Sequence, residues 1–275
     1  MRNQRLADID PEEERRRGAR SVEEDEKTVE EVLLAHLKPL IEDKLIDEVI
    51  RPIKSGKEAV VYCCRANESL GGGLIAAKIY RPVERRSFKK DAVYQQGRER
   101  GARPDARTLR ALGKKTKRGR LHKFSAWIAH EMRTMTLLHQ ANADVPEPIE
   151  RQGPVILMQY FGDEHAPAPV LVNVTLDVGE VATIYQQILR NVELFLVQHR
   201  VHADLSAYNM LYVDDHVVII DFPQSVDPRY NDDAFDLLVR DLKNVNTFFK
   251  EYDLEVVDPF YHTLDLWRKH VDAMR

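Results

Sequence analysis

Two short segments of this chain carry side chains whose types and spacing could do chemistry together. His202-Ala203-Asp204-Leu205-Ser206-Ala207-Tyr208-Asn209 places an Asp five residues before an Asn, and Val217-Val218-Ile219-Ile220-Asp221-Phe222 sets a second Asp at the end of an apolar run. Carboxylate and amide oxygens are the hard ligands that Mg²⁺ prefers, and one or two of them leave room for phosphate oxygens. Asp221 and Asn209 could supply them. Asp204 could turn inward beside a terminal phosphate and accept a proton from an attacking hydroxyl. Such a set serves phosphoryl transfer, which asks for a positioned metal and an oriented nucleophile more than for covalent chemistry. Asp and Asn are also common in turns for local hydrogen bonding, so the inference rests on both segments flanking one short hairpin.

The elements that must hold these residues can be read from apolar spacing. Thr28 to Leu45 has helical spacing at Val29, Val32, Leu33, Leu37, Leu40, Ile41 and Leu45, interrupted by Pro39. Ile50 to Ala66 reads as strand, turn at Ser55-Gly56, strand; Gly71-Gly72-Gly73 is a hairpin loop and Leu74 to Tyr80 the next strand. Ser125 to Gln140 is a helix with Ile128, Met132, Met135 and Leu138 on one face. Pro146 and Pro148 close a link to a short strand, Val155 to Tyr160. Val181 to Arg200 is a second helix, with Ile184, Ile188, Val192, Phe195 and Leu196 inward. Met210–Val213 and Val217–Ile220 form a hairpin, and Asp232 to Arg275 reads as two or three helices, with Phe248, Phe249, Tyr261, Leu264 and Trp267 in the core. A strand-rich half followed by a helical half predicts an α+β fold of two lobes.

The 275 residues are enough for two lobes around a cleft, and 43% hydrophobic with 31% charged residues describes a globular chain with a wetted surface. No apolar run approaches the roughly 20 residues that span a bilayer. Residues 1–27 are highly charged, lack the apolar core of a secretory signal and read as a disordered or loosely helical tail. The two cysteines, Cys63 and Cys64, are neighbours whose side chains point to opposite faces of a strand, so a bridge between them is disfavoured and a reducing, cytoplasmic setting is expected. His199, His202, His262 and His270 have no zinc spacing, and His202 is expected to pack and hydrogen-bond under the Asp204 loop. Net charge is −4, yet residues 81–123 hold sixteen Lys/Arg against four Asp/Glu. Such a stretch attracts phosphate or nucleic acid, or forms a solvated flexible insertion.

The Asp204 loop matches the kinase catalytic loop H-R-D-L-x-x-x-N at every defined position but one, where Ala203 replaces Arg, and Asp221 falls at the D-F-G aspartate. Ile75-Ala76-Ala77-Lys78 resembles the V-A-I-K strand whose Lys reaches the α- and β-phosphates, and Glu131 on the next helix could pair with it. Ser55-Gly56-Lys57-Glu58-Ala59 stands where a glycine-rich loop would, with one glycine; its backbone N–H groups, Ser55 and Lys57 could still meet phosphates.

Together these stretches resemble the RIO family of atypical protein kinases, nearest its RIO1 branch. The matching segments are Ser55–Ala59, Ala77-Lys78-Ile79-Tyr80, Glu131-Met132-Arg133, Val145–Pro148, Ala166–Pro169, Val201–Ser206, Ile220-Asp221 and Asp241–Phe249. Asp221-Phe222-Pro223 departs toward the RIO2 branch. The resemblance implies a trimmed bilobal kinase domain over 28–275, with an N-lobe of about 46–160, a C-lobe of about 161–275 and no usual activation segment. It implies ATP with Mg²⁺ or Mn²⁺, Lys78 on phosphates, Glu131 holding Lys78, Asp204 and Asp221 as catalytic aspartates, and Asn209 and Asp221 on metal. Met158 and Tyr160 would mark the hinge that receives adenine. Ser206, at the position of the usual catalytic-loop Lys, joins the nucleotide-binding set. Residues 81–123 correspond to the family's flexible loop near the γ-phosphate.

The function expected is ATP-dependent phosphorylation of protein Ser/Thr, autophosphorylation included. A slow ATPase acting as an ATP-gated assembly factor, which contacts RNA or a pre-ribosomal particle through 81–123, is the alternative. A small-molecule kinase of the aminoglycoside or choline type shares the H-x-D-x-x-x-x-N pattern, but the Ser55–Ala59 and Val145–Pro148 segments fit it less well.

Overall fold

β-branched, aromatic and small apolar residues crowd the segment from Ala59 to Tyr80, and they form the centre of an antiparallel sheet. In the computed structural model, which describes residues 31–81 and 117–274, its strands are β1 (Ile46–Ser55), β2 (Ala59–Ala66), β3 (Leu74–Tyr80), β4 (Pro148–Gln152) and β5 (Val155–Gln159), in the order β1-β2-β3-β5-β4. The two-residue period of the strands divides two cores. Val60, Tyr62, Cys64, Ile75, Ala77, Ile79, Val155 and Leu157 face Leu33, Leu37 and Leu40 of the N-terminal helical segment. Ala76, Tyr80, Ile156 and Met158 face the opposite way, into a cluster that continues through the C-terminal half.

Pro39 acts as expected. Residues 31–34 are helical, 35–37 form a turn, and α1 (Lys38–Glu42) restarts with proline in its first turn. Val32 and Ile41 are exposed, so the apolar stripe is narrower than the spacing suggests. α2 (Lys117–Gln140) begins eight residues before Ser125, so Lys117–Lys123 of the basic stretch is helix and not loop. Charged residues of high helix propensity extend it there without apolar periodicity to announce them. β4 was not expected, because Pro146 and Pro148 read as link residues. Pro148 is the first residue of an edge strand, where proline removes no needed ladder bond. The charged tail 1–27 and residues 82–116 lie outside the described residues.

The second half is helical around a small hairpin. α3 (Val178–Val197) opens with Glu180 Oε2 accepting from the Asp177 N–H at 3.2 Å and buries Ile184, Ile188, Val192, Phe195 and Leu196. β6 (Met210–Val213) and β7 (His216–Ile219) turn at Asp214 and Asp215, whose φ values of 45° and 62° suit a two-residue hairpin. α4 (Ala234–Phe249) and α5 (Pro259–His270) complete the lobe, the latter capped by Asp258, which accepts from the N–H groups of Phe260 and Tyr261. In α5 the inward residues are Thr263 and Leu266; Tyr261, expected in the core, is 67% exposed.

The lobes join through residues 160–177. Tyr160 Oη lies 2.9 Å from the Asp163 carbonyl and 3.0 Å from that of Ala166, and it accepts from Arg51 Nη2 at 2.8 Å. Gly162 sits within this knot at φ 130°, and a Cβ there would stand 2.4 Å from the Ala166 carbonyl oxygen. Neither the conformation nor the space admits a side chain. Gly162→Ala is therefore expected to destabilise the protein by about 2 kcal/mol or more, read as a lowered urea midpoint; an unchanged midpoint would contradict this account of the joint.

Candidate active site

Between the lobes lies a cleft of about 740 Å³. Ile53, Ala59, Val61, Ala76, Met158 and Ile220 give it apolar walls, and Lys78, Glu131, Asp204 and Asp221 bring charge to one part of it. An apolar slot with a few convergent polar groups is the usual form of a small-molecule site. Of the residues singled out in the sequence, Gly56, Lys57, Lys78, Glu131, Met158, Tyr160, Asp204 and Asp221 line this cleft. Ser55, Ser206 and Asn209 stand beside it. Ser55 Oγ accepts from Arg81, the Ser206 carbonyl accepts from the Asn209 N–H at 2.9 Å at the start of a short 3₁₀ turn over Ala207–Asn209, and buried Asn209 meets the cleft-lining Asp204. The Tyr160 hydroxyl is spent on the interlobe knot, which leaves its main chain and ring for the cleft.

Strand and helix meet at Lys78. Its ammonium donates to Glu131 Oε1 at 2.7 Å and to Asp221 Oδ1 at 2.6 Å. Lys78 is 8% exposed and Glu131 1%, whereas the Asp221 side chain is 41% exposed. Burial opposes the charge on Lys78, but Asp221 and then Glu131 outweigh it and hold the ammonium above its ordinary pKa. Burial also opposes ionised Asp221, and Lys78 reverses that, keeping the carboxyl below its usual range. For Glu131 burial dominates and pushes the carboxyl up, against the pull of Lys78. Contacts this short are those of ion pairs, with the proton on Lys78.

The Asp204 loop is held from both sides. Ile220 donates its N–H to the Asn209 carbonyl at 2.9 Å, which brings the two reactive segments together. Asn209 Nδ2 donates to the Asp204 carbonyl at 2.9 Å, so its amide oxygen is the atom remaining for a metal. Burial, and next the charge of Asp221, raise the Asp204 carboxyl above its usual pKa. His202 is buried with Nε2 3.1 Å from the Ile220 carbonyl, which makes Nε2 the protonated nitrogen, and its ring packs 4.8 Å from Phe222. The packing and hydrogen bonding expected of His202 are therefore present.

Two contributors escaped sequence reading. Asp241 of α4, buried, accepts from the N–H groups of Ala203 at 2.7 Å and Leu205 at 3.1 Å; the neighbouring Arg240 donates to the Ala203 carbonyl. A charged residue on the apolar stripe of Leu238, Leu242, Val245 and Phe249 was the available signal, since buried carboxylates need partners. Arg81 donates through Nε to the Gly56 carbonyl at 3.0 Å and through Nη2 to Ser55 Oγ at 2.9 Å. It braces a nucleotide-loop candidate that has only one glycine, and nothing in its local sequence marks it.

Oxygen donors gathered beside apolar walls fit a nucleotide with a hard cation. Among the described residues no group of three or more His, Cys, Asp or Glu gathers to bind a metal. Asp221 and Asn209 alone suit Mg²⁺, which takes its remaining ligands from phosphate and water.

A β-sheet lobe and a helical lobe, with a buried Lys–Glu pair facing an Asp across the cleft, define a protein-kinase-like fold. Comparison with known proteins narrows this. A RIO domain profile matches residues 60–260. Serine/threonine-protein kinase rio1 of Schizosaccharomyces pombe is 34% identical over 77% of this chain and 40% of its own length. Human serine/threonine-protein kinase RIO1 is 32% identical over 85% and 39%, and RIO-type serine/threonine-protein kinase Rio1 of Methanocaldococcus jannaschii is 34% identical over 82% and 73%. The chain thus belongs to the RIO domain family, and it spans about two fifths of the length of its eukaryotic relatives. In fold it resembles the Rio2 kinase of Chaetomium thermophilum, solved as an ADP/Mg²⁺–phosphoaspartate complex, with a TM-score of 0.60 at 19% identity over 85% of this chain and 64% of that one.

His202 makes the site's support pH-dependent. Burial lowers its pKa to about 4 from 6.5. Between these values the unfolded chain takes up a proton that the folded one refuses, so the stability is full above pH 6.5 and is lost as pH falls toward 4. The contribution is about 3 kcal/mol. Urea unfolding at pH 7 and pH 5 is expected to show a smaller difference for His202→Gln, which can still donate to Ile220, than for the wild type.

Proposed function

We propose that this chain transfers the terminal phosphoryl group of ATP to Ser or Thr hydroxyls of protein, its own included. The observation that carries the reading is the Lys78 ammonium held at once by Glu131 and Asp221, in a cleft that Asp204 also lines. Lys78 is placed to bind phosphate oxygens, with Glu131 fixing it. Gly56 and Lys57 cover the phosphates, with Ser55 holding the turn through Arg81. Met158 and the Tyr160 main chain receive the adenine ring, and Ser206 supports the turn that carries Asn209. Asp221 and Asn209 hold Mg²⁺ or Mn²⁺, which when bound neutralises phosphate charge.

Asp204 orients the attacking hydroxyl and takes its proton as the new P–O bond forms and ADP leaves. Its raised pKa keeps it closer to the range of an effective base than a free aspartate. In a low-polarity cleft, donors fixed before the substrate arrives stabilise developing charge without reorganising.

Two further parts of the reading rest on composition. Residues 81–123, with sixteen basic against four acidic residues, are proposed to contact RNA, as in an assembly factor. Cys63 and Cys64, both buried and unbridged, with burial pushing Cys64 up to about 12, favour a reducing compartment such as the cytoplasm; among the described residues no helix is long and apolar enough to cross a membrane.

Purified protein with Mg²⁺ and γ-labelled ATP is expected to acquire label on Ser or Thr that survives hydroxylamine. Asp204→Asn should lower the rate about 10²-fold or more while nucleotide still binds. Hydroxylamine-labile label would instead indicate an aspartyl phosphate, and free phosphate without label an ATPase; unchanged turnover in Asp204→Asn would sink the assignment. For the RNA contact, affinity should fall steeply between 50 and 200 mM salt, as counterion release requires; salt-insensitive binding or none would remove it.

A further inference from the structure

We infer that Lys54 is a second phosphate-binding cation, directed at the terminal phosphate of the nucleotide; this rests on the phosphotransferase reading above. The register of the sheet carries the argument. Lys54 of β1 pairs with Val61 of β2, and Val61 pairs with Lys78 of β3. Directly opposed residues of antiparallel strands project from the same face, so Lys54, Val61 and Lys78 form one row on the face that lines the cleft, and all three line it. Two strand spacings, about 10 Å, separate the main chains of the two lysines. Long side chains at the ends of that row can converge on one phosphate chain beneath Val61.

The two lysines are not equivalent. Lys78 is buried and already shared by Glu131 and Asp221, so its charge is largely spent within the protein. Lys54 is exposed, and among the described residues no hydrogen bond, ion pair or ring contact engages its ammonium. Lys78, at the other end of the same row, touches Asp221 at 2.6 Å, so the row opens toward the carboxylate end of the cleft. That end needs a cation. The charged lining residues are Glu58, Glu131, Asp204 and Asp221 against Lys54, Lys57 and Lys78, and a terminal phosphate arriving beside Asp204 and Asp221 adds negative charge there. The terminal phosphate is what a triphosphate adds over a diphosphate, so the contribution of Lys54 should distinguish the two.

The test is titration of wild type, Lys54→Ala and Lys54→Arg with a non-hydrolysable ATP analogue and with ADP, each in Mg²⁺, by calorimetry. One charge-assisted contact corresponds to about a tenfold change in Kd. Lys54→Ala is expected to weaken the triphosphate about tenfold and ADP less than about twofold, and Lys54→Arg to restore triphosphate binding to within about threefold of wild type. Equal weakening of both nucleotides, no weakening of the triphosphate, or no rescue by arginine would overturn the assignment. Wild-type protein that binds neither nucleotide would remove the phosphotransferase reading and this one with it. Wild-type binding with an unaltered Lys54→Ala would remove this inference alone.

Discussion

An ammonium group taken out of water costs several kcal/mol unless opposite charge and hydrogen bonds replace its hydration. Lys78 meets that requirement with partners from two different elements: Glu131 from α2 and Asp221 from the segment after β7. The strand, the helix and the hairpin lobe are thereby obliged to meet at one point. Removing either carboxylate would leave a buried charge undercompensated, so the pair constrains the lobe arrangement as well as equipping the cleft. Ion pairing of this kind is weak evidence for stability, and its value lies in fixing one geometry.

The loop bearing Asp204 depends on that geometry and on a second buried charge. Ala203 and Asp221 have φ values of 65° and 74°, a region that L residues with a Cβ enter at some cost. Asp241 binds the main chain on both sides of Asp204, through the Ala203 and Leu205 N–H groups, and Asn244 donates to the Leu205 carbonyl at 3.1 Å. Beneath the loop, His202 and Phe222 pack together, and Phe195 of α3 meets Phe222 at 5.7 Å. Strained backbone at reactive positions persists where the surroundings overdetermine it, and here α3 and α4 both contribute. The turn over Ser55–Ala59 solves its own problem differently. With Gly56 as its only glycine, it takes shape from Arg81, whose fork satisfies a carbonyl and a hydroxyl together.

Much of the site was legible beforehand. Lys78, Glu131, Asp204 and Asp221 were expected together and they line one cleft, because each sits in a local pattern tied to a short element. Asn209 lies just behind them, linked to Asp204. What could not be read were partners supplied from far along the chain. Asp241 is separated by thirty-eight residues from Ala203, and Arg81 by twenty-five from Gly56; neither has a spacing rule that connects it to its partner.

By itself the sequence determined the order of most strands and helices, the division into a sheet half and a helical half, and the candidate residues that meet in the cleft, since periodicity and motif spacing are local properties. Its errors fell where local signals mislead: the start of α2 among charged residues, β4 behind two prolines, and Tyr261 on the outer side of α5. Tertiary structure alone decided which face of the sheet forms the cleft, that Ser55 and Ser206 stand beside it and not in it, and that Lys54 shares a row with Lys78. Those outcomes follow from strand register and from the need to pair buried charges, and both join residues that the sequence keeps apart.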